Sequence, residues 1–155
     1  RVGRHDPAVA AHPWLARASA YCVDAILRLV DPHAYELLFA LRFVDAAGAR
    51  GLPETDELLG RLGRYVPSDG TVAVAGGSEG EALHPLDLAP EPGAASRRLL
   101  DPDAVAADVE RLVGEQRDDG GWTVDFASFS PAATVEWRGY ATVAAVAVLR
   151  ANGGA

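Results

Sequence analysis

The chain of 155 residues is 49% hydrophobic and 23% charged, and it contains one cysteine. This length suits one domain with a sizeable core. The formal net charge of −8 argues against phosphate-rich partners such as nucleic acid, and the lone cysteine excludes an intrachain disulfide. The sequence contains no recognisable signal peptide and no apolar run of about 18 residues that could span a membrane, so we expect a cytoplasmic protein.

The composition also bears on the origin and the extent of the chain. All fourteen basic residues are arginine, and Ala, Val and Gly are abundant, which indicates the coding bias of a GC-rich, bacterial genome. The chain begins with Arg1 and contains no Met. We therefore expect residues 1–155 to form a single domain that is the C-terminal part of a longer chain.

Five helix starts are predicted, and four of them share a local pattern. Pro suits the first turn of a helix because its missing N–H needs no partner there, and a preceding Asp or Ser side chain accepts hydrogen bonds from the exposed N–H groups. The pattern occurs at His12-Pro13, Asp31-Pro32, Asp101-Pro102 and Ser130-Pro131, and Pro53 begins one more helix. The predicted helices cover residues 13–30, 35–47, 53–66, 102–116 and 132–150.

The predicted helices are of two kinds. Those at 13–30, 53–66 and 102–116 carry their apolar residues on one stripe, which is typical of outer helices with one solvated face. Those at 35–47 and 132–150 are apolar nearly all round, which predicts that neighbours cover them on most sides. A Gly- and Pro-rich segment replaces one expected inner helix, and within it we predict a short strand pair near 71–75 and a short helix near 94–100.

A weak internal repeat accompanies this alternation. Residues 62–72 align with residues 112–122, each a helix end followed by Asp-Gly, and repeats of this size indicate stacked helical hairpins. The second copy contains Gln116, Gly120 and Trp122. It resembles the QW repeat of squalene and hopene cyclases, in which a Gln is followed a few residues later by Gly-x-Trp. The first copy lacks both the Gln and the Trp.

The resemblance implies an all-α fold in which αα-hairpin repeats form a segment of the α/α toroid of prenyltransferase- and cyclase-like proteins. It also implies that Gln116, Gly120 and Trp122 brace successive helices. The apolar cavity of such a toroid would bind a hydrophobic, isoprenoid-like small molecule, which is the leading functional hypothesis.

The catalytic motifs of that family are absent from the sequence. There is no Asp-x-Asp-Asp acid motif, and the single cysteine, Cys22, lies mid-helix on an apolar stripe, where a packed thiol is expected rather than a zinc ligand. We therefore expect neither a metal nor a cofactor.

A second hypothesis is an enzyme of terpenoid or related metabolism. Glu81, His84 and Asp87 lie close together in a non-helical segment, and loops held by a rigid scaffold often carry functional groups. Because imidazole titrates near neutral pH, a His–carboxylate pair with Glu136 as a further carboxylate would suit acid–base catalysis. The structural alternative is that these residues cap helices or tie down the loop.

Charged residues within the two apolar helices form the other candidate group. They are costly unless paired or facing a wet cavity, so they form either a polar pocket floor or internal ion pairs, namely Glu36–Arg42, Arg42–Asp45 or Glu136–Arg138. The candidate ligand contacts are Tyr35, Glu36, Arg42, Trp137 and Arg138. The aromatic residues Trp14, Trp137, Tyr140 and Phe126 are otherwise interpreted as core.

A partial toroid would leave the flank of its inner helices bare. We therefore expect missing N-terminal repeats or a homo-oligomer partner to cover that flank. A helical scaffold for binding another protein is the third functional alternative.

Overall fold

A computed structural model describes residues 7–124 and 130–153. Its seven α-helices in this part of the chain are α1 (Pro7–Ala11), α2 (Pro13–Leu27), α3 (Ala34–Gly48), α4 (Thr55–Leu62), α5 (Pro85–Leu88), α6 (Pro102–Gly114) and α7 (Pro131–Ala151). Two 3-10 turns, Gly63–Tyr65 and Ala95–Leu99, and two short strands, β1 (Val72–Ala73) and β2 (Ala82–Leu83), complete the elements. The predicted all-α class is confirmed.

Three of the predicted helix starts form as the sequence indicates. The side chains of His12, Asp101 and Ser130 each accept a hydrogen bond from a backbone N–H in the first turn of α2, α6 and α7. Each therefore satisfies a donor that the helix itself leaves without a partner.

The predicted range 35–47 of the second helix agrees with α3, but the predicted cap at Asp31-Pro32 is wrong. Helix α3 begins at Ala34, and its N-cap is His33, whose Nδ1 accepts the N–H of Tyr35 at 3.3 Å. The Glu36 carboxylate in turn accepts the His33 N–H at 3.0 Å, which completes a capping box. Glu36, proposed as a ligand contact or an ion-pair partner of Arg42, is therefore part of this cap.

The main core forms where α3 packs against α4. Leu37 and Leu41 of α3 are 1% exposed and Val44 is 0% exposed, and their spacing of three or four residues puts them on one face of the helix. Leu58 and Leu62 of α4 are both 0% exposed. The helix at 35–47 is thus covered as predicted, although its opposite face leaves Phe39 67% exposed.

The segment between α4 and α6 is pinned to this core by side-chain hydrogen bonds. The predicted strand near 71–75 forms as β1 and pairs antiparallel with β2, and the predicted helix near 94–100 forms as the 3-10 turn Ala95–Leu99. Asp45 of α3 accepts the N–H and the Oγ–H of Ser96 at 2.8 and 2.6 Å. The carboxylate of Asp45 is therefore satisfied by this loop and not by the expected pairing with Arg42.

The prediction that residues 132–150 form an inner helix is wrong. Only Ala145 and Leu149 of α7 are buried, and Val135, Tyr140 and Val143 are between 68% and 71% exposed. In the described part of the chain, α6 and the turn that precedes α7 cover one side of this helix. The alternation of inner and outer helices does not form here, and a toroid repeat stays a prediction.

The hydropathy of the helices bears on membrane insertion as well. Within residues 7–124 and 130–153, none of the helices combines the length and the apolar character that a membrane crossing requires.

The core assignment predicts a sharp contrast between two residues of α3. Replacement Leu41→Ala should lower the free energy of unfolding by about 2–5 kcal/mol, because it leaves a cavity at a fully covered position. The matched variant Phe39→Ala removes an exposed side chain and should change stability by only about 0.5 kcal/mol. Urea denaturation followed by circular dichroism measures both, and equal losses would contradict the assignment.

Candidate functional site

The turn that carries the QW resemblance attaches α7 to α6. The indole N–H of Trp122 donates to the carbonyl of Leu112 at 2.8 Å, near the C-terminal end of α6, where helical carbonyls lack intrahelical partners. The backbone N–H of Trp122 donates to Thr142 Oγ1 of α7 at 3.0 Å. The Trp122 side chain is 5% exposed and forms a second, small core with Ala145 and Leu149.

The rest of this turn is held by polar contacts. Gln116 Nε2 donates to the carbonyl of Gly120 at 3.0 Å, and Gly120 has a φ of +82°, which favours glycine. Arg138 Nη2 donates to both carboxylate oxygens of Asp119, at 2.9 and 2.7 Å. This bond from Arg138 holds the pKa of Asp119 below its ordinary value, and Arg138 is therefore paired with Asp119 and not with Glu136 as expected.

A cleft of about 1060 Å³ lies between α7 and the segment around β2 and α5. Its floor consists of the C-terminal end of α6 and the turn before Trp122, and it carries five charged residues, namely Arg111, Glu115, Arg117, Asp118 and Asp119. One side of the cleft, called here the apolar wall, comes from α7. The other side, called here the polar wall, comes from Tyr35 and the residues from Glu81 to Asp87, where Leu83 and Leu86 line the cleft beside the polar side chains.

Two aromatic residues dominate the apolar wall. Trp137 and Tyr140 meet edge to face, with ring centroids 5.7 Å apart, and they are 40% and 68% exposed. The interpretation of these two residues and of Trp14, which is 46% exposed, as core is therefore wrong, and Phe126 lies outside the described residues. Among the described residues, too few neighbours pack against α7 to bury these aromatic side chains.

Glu81 contributes a firmly held carboxylate to the polar wall. Its Oε1 accepts the Tyr35 hydroxyl at 2.8 Å, and its Oε2 accepts the Ser78 N–H at 2.8 Å. These bonds, the one from Ser78 foremost, hold the pKa of Glu81 below its ordinary value. Glu81 therefore stays ionised and joins the hairpin of β1 and β2 to the start of α3.

His84 and Asp87 lie at the two ends of the first turn of α5. Asp87 Oδ2 accepts the backbone N–H of His84 at 2.9 Å, and Arg42 Nη2 donates to the backbone carbonyl of Asp87 at 2.8 Å. Loss of hydration around the carboxyl group of Asp87 raises the pKa of Asp87. The hydrogen bond from the His84 N–H and the nearby His84 ring oppose this shift. The His84 ring faces the cleft but makes no hydrogen bond with a carboxylate of the described residues.

A buried carboxylate fixes the position of this turn. Asp108 of α6 is 4% exposed; its Oδ2 accepts the N–H of Leu86 at 2.7 Å, and its Oδ1 accepts Nε–H of Arg111 at 2.6 Å. Both oxygens are thus satisfied, as a buried charge requires. Sequence reasoning missed the role of Asp108. This role depends on the contact with Leu86, which is distant in the sequence, and no local sequence pattern indicates it.

The structure brings together some of the candidate residues and separates others. Those that line the cleft are Tyr35, Glu81, His84, Asp87 and Trp137, with Gln116 and Trp122 at its floor. Those that do not line it are Glu36, Arg42, Glu136 and Arg138. Of these four, Glu36 caps α3, Arg42 supports α5, Arg138 binds Asp119, and Glu136 is exposed on another face of α7.

The sequence analysis also missed most of the apolar wall. Besides Trp137, this wall includes Tyr140, Ala141, Ala144 and Val148. Their spacing of three or four residues is a helical stripe and could have been recognised. The helix carries apolar residues on all its faces, however, so the sequence does not indicate which stripe borders a cleft.

The raised pKa of Asp87 predicts a specific pH dependence of stability. The native state binds the proton of the Asp87 carboxyl more tightly than the unfolded chain does. The contribution of this proton to the free energy of unfolding is therefore full below the ordinary Asp pKa, and it is lost as the pH rises through the raised pKa of the native state. Asp87→Asn keeps an acceptor for the His84 N–H and removes this titration. Denaturation series across the acidic range should therefore show the variant gaining stability over the parent as the pH rises, and a constant difference would contradict the assignment.

No group of three or more His, Cys, Asp or Glu residues in the described ranges is placed to hold a metal ion. Comparisons with protein-family models, with curated proteins and with solved structures give no match.

Proposed function

We propose that this domain binds a hydrophobic, isoprenoid-like small molecule in the cleft between α7 and the segment from Glu81 to Asp87. The observation that supports the proposal best is the pairing of an aromatic and aliphatic wall with a carboxylate wall across about 1060 Å³. The volume is close to the upper end of the range of about 300–1,000 Å³ that is typical of small-molecule sites, and the charged floor makes this cleft more polar than most such sites. The proposal thus rests on this cleft and not on a toroid cavity.

The apolar wall supplies the binding energy in this proposal. Trp137 and Tyr140 present large ring surfaces to the cleft, and covering apolar surface stabilises a complex by about 25 cal/mol per Å². Ala141 and Ala144 follow along the same stripe of α7. Their small side chains leave space for an elongated chain to lie along the helix beside the two rings.

The polar wall would orient the ligand. The carboxylates of Glu81 and Asp87 and the ring of His84 border the cleft opposite Trp137, so a ligand with one hydrogen-bond-donating end would place that end there. An isoprenoid alcohol has this chemistry, since its hydroxyl group can donate to a carboxylate while its chain contacts the aromatic wall.

The geometry favours binding over the alternative of acid–base catalysis. That alternative pairs His84 with a carboxylate, but in the described residues Asp87 accepts the backbone N–H of His84 and not its ring. Both oxygens of Glu81 already accept hydrogen bonds, and Glu136 does not border the cleft. Catalysis by these groups remains a hypothesis without an assembled proton-transfer pair.

A matched pair of tryptophan variants tests the proposal. Farnesol serves as the probe, and native mass spectrometry together with intrinsic fluorescence measures its dissociation constant. Trp137→Ala should weaken binding about fivefold or more, because an aromatic contact contributes about 1 kcal/mol beyond its buried area. Trp14→Ala removes a tryptophan of similar exposure on α2 and should leave the dissociation constant unchanged.

A second pair of variants separates the cleft from general surface hydrophobicity. Ala144→Asp introduces a charge into the apolar wall and should abolish farnesol binding, whereas Ala106→Asp places the same charge on an exposed position of α6 and should not. If both tryptophan variants or both aspartate variants behave alike, farnesol does not bind in this cleft and the proposal fails.

A further inference from the structure

Another face of α7 carries a second feature, which is independent of the cleft. This face is exposed, and apart from two charged residues its members are small or apolar, namely Ala132, Val135, Gly139, Val143 and Ala147. Val135 and Val143 are each 71% exposed. Exposed apolar stripes of this kind mark interaction sites, and glycine and alanine allow two helices to approach closely.

The two charged residues on this face are Glu136 and Arg150. They stand seven residues before and seven residues after Val143, which at 3.6 residues per turn is close to two full turns in each direction. Both are exposed, and neither forms a salt bridge within the described part of the chain. The face is therefore acidic at one end, basic at the other and apolar between them.

We propose that this face binds the same face of a second copy of the chain, with the two α7 helices antiparallel about a twofold axis at Val143. In this register Glu136 of each copy lies opposite Arg150 of the other. Gly139 lies opposite Ala147, and the two Val143 side chains meet at the axis. A twofold interface uses one surface patch on both subunits, so the patch must complement itself.

The charge pattern favours a second copy over an unrelated partner. Opposite charges at equal distances from a central apolar residue give two identical ion pairs in an antiparallel dimer, whereas a parallel pair would place like charges together. The cleft residues Ala141, Ala144 and Val148 lie on the neighbouring flank of α7. Tyr140, seven residues before Ala147, lies at the border between the cleft and the proposed interface. The dimer does not depend on the proposed ligand.

Charge reversal at the two ends tests this arrangement in the full chain. Sedimentation velocity over a range of protein concentrations should show a reversible dimer for the parent. Glu136→Arg and Arg150→Glu should each raise the dimer dissociation constant about tenfold or more, because each creates two like-charge contacts per dimer. The double variant should restore the dimer, and Glu110→Arg, at an exposed position of α6, should have no effect.

A mixing experiment gives the sharpest outcome. An equimolar mixture of the Glu136→Arg and Arg150→Glu variants should form heterodimers that native mass spectrometry resolves, since both opposed pairs are then complementary. This rescue also demonstrates that the single variants are folded. A parent that stays monomeric at high micromolar concentration, a dimer that tolerates both reversals, or variants that fail to rescue each other would each overturn the proposal.

Discussion

The attachment of α7 to the rest of the domain is the constraint on which the site depends. Trp122 contributes both apolar and polar contacts to it, because its ring packs against Ala145 and Leu149 while its indole N–H donates to the C-terminal end of α6. At the far end of α7, Asn152 accepts from Arg97 at 2.9 Å and donates to the Pro90 carbonyl at 2.9 Å. One side of α7 is thereby fixed, one flank borders the cleft and another face stays exposed.

The two walls of the cleft belong to different parts of the structure. The polar wall is continuous with the main core, since Asp108 fixes α5 and Arg42 of α3 binds the Asp87 carbonyl. The apolar wall lies on α7, the helix that the small core around Trp122 attaches to α6. The cleft therefore lies between the part of the structure that is built on α3 and α4 and the helix that Trp122 attaches.

Local features of the fold were accessible from the sequence. Helix starts at Pro13, Pro102 and Pro131 follow from capping chemistry that acts within four residues, and the apolar stripe predicted for residues 53–66 contains the leucines that α4 buries. The cap of α3 was mispredicted because His33, an uncommon N-cap, forms the capping box in place of Asp31. His84, Glu81 and Asp87 were found as a group because they are neighbours in the chain.

Features that depend on distant contacts were not accessible. The hydropathy of residues 132–150 indicates that the helix favours a covered position, but it does not reveal that α6 covers only one side. The partners of Asp45, Arg42 and Arg138 are Ser96, the Asp87 carbonyl and Asp119, and each of these contacts depends on how separate elements pack. The cleft itself exists only through such packing, because its two walls are far apart in sequence.

Hydrogen–deuterium exchange in the Trp122→Ala variant tests most directly whether Trp122 holds α7 in place. Loss of the small core should release α7 and residues 115–124 as a unit, while the amides of α3 and α4 keep the protection that the main core gives them. The expected result is therefore a selective loss of protection in α7 and the preceding turn. Unchanged protection of α7, or an equal loss in α3 and α4, would show that Trp122 is not what positions the apolar wall.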